Sequence, residues 1–263
     1  MTRLCLFGNS HLVAMIWAWE VIGHKYPDVK VDFFSEHSNS LIYASMGGDG
    51  RLHAGPDPFK CRIAATGRSY AESIDLSVYD AVSIVGLVFG PLAVLRTYRR
   101  FTFMGLNRED GQVLSKDQFK RAAQSFASET ASLHIANLLK GRRNLFVVPC
   151  ALPGADGLLD LKKANMQDWR TAAEFGDGEA LMAIYNTMCG ELTASGITVV
   201  PQPGQTKASA ISTLQSYNTN VLYTKAGVIR PKDDYLHMNS GYGAVMWGEL
   251  LAEMEKAKVF GEQ

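Results

Sequence analysis

The stretch LCLFGNSHLVAM, residues 4–15, decides how the rest of the chain is read. Leu4, Cys5, Leu6 and Phe7 form a short apolar run, as expected of a strand covered on both faces, with residues 2–8 as its outer limits. Gly8, Asn9, Ser10 and His11 interrupt it. Residues 11–21 are then rich in Leu, Val, Ala, Met, Ile and Trp, and Leu12, Ile16 and Trp19 can share a helical face with Met15. Residues 29–34 alternate valine and phenylalanine with charged residues before turning fully apolar, and read as a second strand. Strand, turn, helix, strand is the opening of a parallel α/β sheet.

The same logic runs outward from this unit. YDAVSIVG at 79–86 is a third strand, NLFVVPC at 144–150 a fourth that ends near Pro149, and residues 197–200 a fifth, followed by PQPGQT. Helical patterns occupy 115–139, with Ser115 as its cap, 178–195 and 240–257. There is no internal repeat, low-complexity tract or linker, so the pattern predicts one doubly wound domain over 1–263. Within it a long insertion or loop at about 35–78 carries MGGDG at 46–50 and GPDP at 55–58. Irregular stretches of that length are often functional. The turns after strands one, three, four and five should lie at the carboxyl edge of the sheet, where open α/β sheets carry their ligands.

Lys plus Arg equals Asp plus Glu at 26 each, which points away from a strongly cationic nucleic-acid binder. Arg96, Arg99 and Arg100 make the densest basic cluster and read as a solvated face. The opening MTRLCLFGNSH has no leader pattern, and no run of about 18 apolar residues exists. The expectation is a cytoplasmic protein with neither a membrane nor a nucleic-acid partner. Cys5, Cys61, Cys150 and Cys189 are scattered, without CxxC pairs or metal-ligand spacing, and read as reduced, buried thiols.

Ser10 stands between a strand and a helix, where free N–H groups of a first helical turn can stabilise an oxyanion. A serine hydroxyl is a poor nucleophile without a base. The plainer alternative is that Asn9 or Ser10 caps the helix. The turn has neither the glycines of a dinucleotide fingerprint nor a GxSxG elbow. KDDYLHMNSGY at 232–242 offers the other half. Asp234 and His237 are three residues apart, so in a single turn the carboxylate can reach one ring nitrogen while the other takes a serine proton. The alternative there is a solvated acid and a capping histidine.

Together, GNSH after the first strand and DxxH before the last helix resemble the SGNH hydrolases, also called GDSL-type esterases and lipases. The resemblance spans nearly the whole chain in element order and rests on short motifs. It implies a three-layer α/β/α, flavodoxin-like sandwich with a five-stranded parallel sheet. It also implies that Ser10 is the nucleophile, His237 the general base and acid, and Asp234 the group that orients His237. The chain departs from the family pattern in two places. Gly8-Asn9-Ser10 replaces the usual Gly-Asp-Ser, so Asn9 can keep hydrogen bonds but not the charge. The family's second block contributes a glycine N–H, which falls on Gly48, with Gly47 close behind, so that Ser10 and Gly48 form the oxyanion hole. The third block, Gly-x-Asn-Asp, matches Gly86-Leu87-Val88-Phe89, which places Val88 where the oxyanion asparagine would be. Loss of one such donor costs about 10²–10³-fold in rate. Candidate replacements are Asn186, Gln202, Gln205, His37 and the backbone N–H groups of residues 86–88, with the turn at 201–206 favoured because it follows strand five. Asn9, Gly47, Gly86, Val88, Gln202 and Gln205 are the expected substrate contacts.

His11 should point away from the Ser10 hydroxyl and serve the helix start or a supporting contact. His37 and His53 fall in the long loop, and no recognised spacing ties them to Asp49 or Asp57 as a metal site. Trp169 reads either as a binding aromatic or as packing, whereas Trp17 and Trp19 read as packing. Trp247 and Met246 pack either internally or across a homodimer. The implied activity is hydrolysis of a small O-acyl ester, with an O-acetylated carbohydrate or glycan among the substrates, through an acyl-enzyme and without cofactor or metal. An acyltransferase would use the same groups. A binding protein without turnover is the rival that Val88 keeps open, and a phosphate or nucleotide binder using residues 8–10 as an anion nest is a third reading.

Overall fold

The computed structural model describes residues 1–35, 40–64, 67–223 and 228–260. Its main sheet contains β1 (Thr2–Gly8), β2 (Val29–Ser35), β3 (Phe59–Ala64), β4 (Gly67–Ala71), β5 (Ala81–Val85), β6 (Leu145–Val148) and β7 (Thr198–Val199). The seven strands lie in the order β7-β6-β5-β1-β2-β3-β4. The five expected strands, β7 to β2 in that order, pair in parallel. β3 and β4 extend the sheet antiparallel beyond β2. They come from the segment that reads as loop, because FKCRIA and GRSYA carry charges and glycine rather than apolar runs. Ser45–Met46, Leu52–His53 and Ser73–Ile74 in the same segment form a separate three-stranded sheet.

Seven α-helices are described: α1 (Leu12–Ile22), α2 (Leu92–Tyr98), α3 (Lys116–Ser128), α4 (Ala131–Leu138), α5 (Gln167–Glu174), α6 (Gly178–Ala194) and α7 (Ser240–Lys256). The single helix expected at 115–139 is two. Ser115 starts α3 through a capping box with Gln118, and Thr130 starts α4 by accepting the Leu133 N–H. Alternation along β1 separates the two cores. Leu4 and Leu6 face α1 and α7, while Cys5 and Phe7 face the layer containing α2 to α6. The result is a mixed α/β protein with a large, mainly parallel sheet between helical layers.

Two features bring the chain ends together. First, the chain leaves β1 toward β2 on one side and later returns to β5 on the other, so the strand order reverses between β1 and β5. The carboxyl ends of these strands meet in register at Gly8 and Val85, and this is where doubly wound sheets open a crevice. Second, α7 docks on α1. A Cβ on Gly243 would lie 2.1 Å from the Ala14 carbonyl oxygen and 3.0 Å from Ala18 Cβ, so only glycine permits this approach. Trp247, fully buried, donates its indole N–H to the Met15 carbonyl at 2.9 Å. Met246 is buried beside it, so both residues pack inside the protein rather than forming a surface for a second copy.

Gly243→Ala is therefore expected to destabilise. Alanine gains about 1 kcal/mol of helix propensity, but the clash is with backbone, and such overpacking costs about 1–3 kcal/mol. Chemical denaturation should show a lower midpoint for the variant. An equal or higher midpoint would mean that the α1–α7 contact is looser than described.

Candidate active site

Neither Asn9 nor Ser10 caps α1 through its side chain. Buried Asn9 instead accepts the His11 N–H on Oδ1 at 3.1 Å, which fixes the turn. The Ser10 N–H has no acceptor among the described residues. The Ser10 hydroxyl lies 2.7 Å from Nε2 of His237, across 227 positions of sequence. Nδ1 of His237 lies 2.8 and 2.9 Å from the two carboxylate oxygens of Asp234. The structure thus joins Ser10, His237 and Asp234 in one hydrogen-bonded chain.

The partners assign the tautomer. Nδ1 carries the proton and donates it to Asp234, leaving the Nε2 lone pair to accept the Ser10 hydroxyl. Burial pushes the Asp234 carboxyl up. The hydrogen bond and charge of His237, together with those of Arg230, outweigh that effect and hold it far below the usual carboxylate range. The Leu236 N–H also reaches Asp234 Oδ1, at 3.3 Å.

Three further residues complete the site: Arg230 and Asn218, which no sequence motif marks, and His11, which takes the supporting contact expected as one alternative. Arg230 donates from Nη1 to Asp234 Oδ2 at 3.0 Å, approaches His237 Nδ1 at 3.2 Å and lies 4.4 Å over the Tyr223 ring. With Nδ1 protonated, that approach is a contact between two donors, so Arg230 steadies Asp234 while opposing an imidazolium. Asn218, buried, donates its amide N–H groups to the Asp234 carbonyl at 2.9 Å and the His237 carbonyl at 2.7 Å, which holds the turn that carries both. His11 stacks on His237, with centroids 4.8 Å apart and planes 22° from parallel. Shielding from water, with the charges of His237 and Arg230 acting the same way and Asp234 opposing, pushes the His11 pKa down to about 3.

That shift has a consequence for stability. Unfolded, His11 binds a proton near 6.5, and folded it does so only near about 3. Between these values the unfolded chain holds more protons, so folding stability falls as pH drops through that window. His11→Phe keeps a stacking ring that cannot charge. Its melting temperature should therefore fall less than that of the native protein between neutral pH and pH 4–5, and an identical pH dependence would count against this assignment.

The other expected contacts fall in different places. A Cβ on Gly86 would lie 2.8 Å from His11 Cβ and 3.1 Å from Asn9 Oδ1, so Gly86 lies against the turn that carries Ser10. Val88 follows it, half-buried. Gly47 and Gly48 lie at the tip of the hairpin between Ser45–Met46 and Leu52–His53, where Gly47 N–H donates to the Arg51 carbonyl at 2.9 Å. No hydrogen bond from that tip to Ser10 or His237 occurs among the described residues. Gln202 does not present a free amide. It donates to Thr206 and Thr213 and accepts the Leu152 N–H, clamping neighbouring loops. Gln205 and Asn186 are exposed, and His37 lies outside the described residues. His53 approaches Asp49 at 3.1 Å on its hairpin, and Trp169 is buried as packing. Among the described residues no group of three His, Cys, Asp or Glu could hold a metal ion, and no helix is long and apolar enough to cross a membrane. Arg99 of the basic cluster grips Asp168 with two hydrogen bonds, at 2.9 and 2.6 Å. Behind His11 a cavity of ≈ 20 Å³ lies among Met15, Val148 and Met238. That is room for about one water.

No protein-family model and no curated protein matches the chain. Three solved structures are similar to it. A DUF4886 family protein from Bacteroides uniformis is 11% identical with a TM-score of 0.47, over 96% of this chain and 83% of that one. A "putative acylhydrolase" from Bacteroides fragilis is 12% identical with a TM-score of 0.41, over 98% and 88%. A "putative arylesterase" from Agrobacterium tumefaciens is 16% identical with a TM-score of 0.38, over 98% and 100%.

Proposed function

We propose that this protein is a serine esterase that cleaves a small O-acyl ester through an acyl-enzyme. The observation that carries the reading is the continuous hydrogen-bonded chain from the Ser10 hydroxyl through His237 to Asp234. The resemblance of GNSH and DxxH to the SGNH hydrolases supports it.

In this reading Ser10 Oγ attacks the ester carbonyl as its proton passes to His237 Nε2, and Asp234 stabilises the imidazolium through Nδ1. The carbonyl oxygen, now an oxyanion, takes the unpaired Ser10 N–H and, as the resemblance implies, that of Gly48. The tetrahedral adduct collapses, the carbon–oxygen bond to the alcohol breaks, and His237 returns the proton to the departing alkoxide. Water then attacks the acyl-Ser10 ester with the same base, releasing the acid and restoring the hydroxyl. Every proton lost is regained, and no step calls for a cofactor. The small acyl group, an acetyl on a carbohydrate for instance, rests on the family resemblance.

The test is nitrophenyl acetate. A rapid quench should find one acetyl group on Ser10 and a burst of nitrophenol, and an added alcohol should divert part of the product to a new ester if transfer competes with hydrolysis. A folded protein that releases nitrophenol no faster than buffer would reject the reading.

A further inference from the structure

The esterase reading requires His237 to take up a proton twice per turnover, once from Ser10 and once from water. Resting on that reading, we propose that His11 is a positioning residue for this step: its ring face steadies the His237 ring and attracts the imidazolium that each proton transfer makes.

The two rings are held in place from separate sides. His11 follows Ser10 directly, so one turn presents both the nucleophile and the ring that meets its base. Asn9 Oδ1 accepts the His11 N–H at 3.1 Å, and His11 has helical backbone angles, φ −70° and ψ −25°, at the head of α1. A Cβ on Gly86 would lie 2.8 Å from His11 Cβ and 3.2 Å from Cδ2, so glycine there leaves the ring its place. His237 is anchored independently, with Ser10 Oγ 2.7 Å from Nε2 and Asp234 Oδ1 2.8 Å from Nδ1. Between these anchors the rings stack with centroids 4.8 Å apart and planes 22° from parallel, the offset arrangement that aromatic pairs favour. Among the described residues the His11 ring makes no hydrogen bond, so it acts on His237 through its face.

Charge decides what that face does. Asp234 supports an imidazolium through Nδ1, whereas Arg230, 3.2 Å from the same nitrogen, opposes it. A neutral aromatic ring within about 6 Å of a cation attracts it, most strongly where water is excluded. A protonated His11 would instead add a second repelling charge. Met15, Val148 and Met238 line the small cavity behind His11. This shielding, which pushes the His11 pKa down to about 3, keeps the ring neutral. The attraction to His11 therefore offsets part of the repulsion from Arg230. A ring that only filled space would be indifferent to its own electron density, and that difference separates the two roles.

Steady-state kcat and KM on nitrophenyl acetate at neutral pH test this. His11→Leu should lower kcat about tenfold and leave KM unchanged. His11→Phe keeps a π face and should stay within about threefold of native. Pentafluorophenylalanine, placed at position 11 by nonsense suppression, has nearly the shape of phenylalanine but a reversed ring quadrupole, so it should be as slow as His11→Leu. A fluorinated ring as fast as His11→Phe, or a His11→Leu protein within about threefold of native, would overturn the inference while leaving the esterase reading standing. So would His11→Phe as slow as His11→Leu, since a π face would then not suffice. If His11→Leu fails to fold, the comparison of the two phenyl rings decides alone. A native protein that never acetylates Ser10 would remove the esterase reading and this inference together.

Discussion

If the proposed triad operates, His237→Ala should lower ester hydrolysis by about 10⁴–10⁶-fold in an otherwise folded protein. In the proposed mechanism the imidazole accepts the Ser10 proton, and it lies 2.7 Å from that hydroxyl, with no other base in hydrogen-bond contact among the described residues. His11 is stacked on His237 rather than bonded to Ser10, so it is not placed to take over the proton. The fold should survive because the α1–α7 contact through Gly243 and Trp247 does not involve the His237 ring. The residual rate reflects oxyanion binding alone. For the same reason Ser10→Ala combined with His237→Ala should be no slower than either single variant, since both remove one shared step. Steady-state kcat on nitrophenyl acetate, with circular dichroism as the check on folding, measures this. A His237→Ala protein retaining a tenth of native activity would mean that the base lies elsewhere.

Asp234→Asn should cost about 10⁴-fold, although it changes one atom. The carboxylate fixes the proton on His237 Nδ1. An amide in its place removes that demand, while Arg230 Nη1 remains 3.2 Å from the same nitrogen. Arg230 can only donate, so it favours an unprotonated Nδ1 and a protonated Nε2, the wrong tautomer for accepting the Ser10 proton. The variant also leaves Arg230 without its anionic partner. In the native protein the depressed Asp234 pKa keeps the carboxylate charged as pH falls. The stability it contributes is present above the ordinary carboxylate range and is lost only as pH drops through the lower folded value. With Asp234 ionised and His11 neutral down to about 3, neither adds a proton-binding step to the acid limb of kcat/KM, which should have a slope of one. A slope of two would implicate a second titrating group.

What the sequence revealed follows from range. β1, β5 and β6 were legible because strands buried on both faces must be apolar throughout, and α3 because Ser115 and Gln118 form a local capping box. β3 and β4 were not, because an antiparallel hairpin added at the edge of a sheet tolerates an exposed charge such as Lys60 in β3 and does not require an apolar run. The break between α3 and α4 turns on Thr130, whose capping role depends on where the chain bends. Ser10, Asp234 and His237 stood out as short motifs beside recognisable elements. Arg230 and Asn218 reach the site only through folding of the loop between β7 and α7, and no spacing marks a residue that acts through another. Gln202 shows the converse error. A polar side chain at the expected edge of the sheet was open to a functional reading until its partners, Thr206, Thr213 and Leu152, were visible.

The central claim is that Ser10 is an activated nucleophile. Incubation with a fluorophosphonate followed by peptide mass spectrometry tests it most directly. The account predicts one label per chain, on Ser10, in the native protein and none in His237→Ala. A label on another residue, or a folded native protein that takes up none, would contradict it.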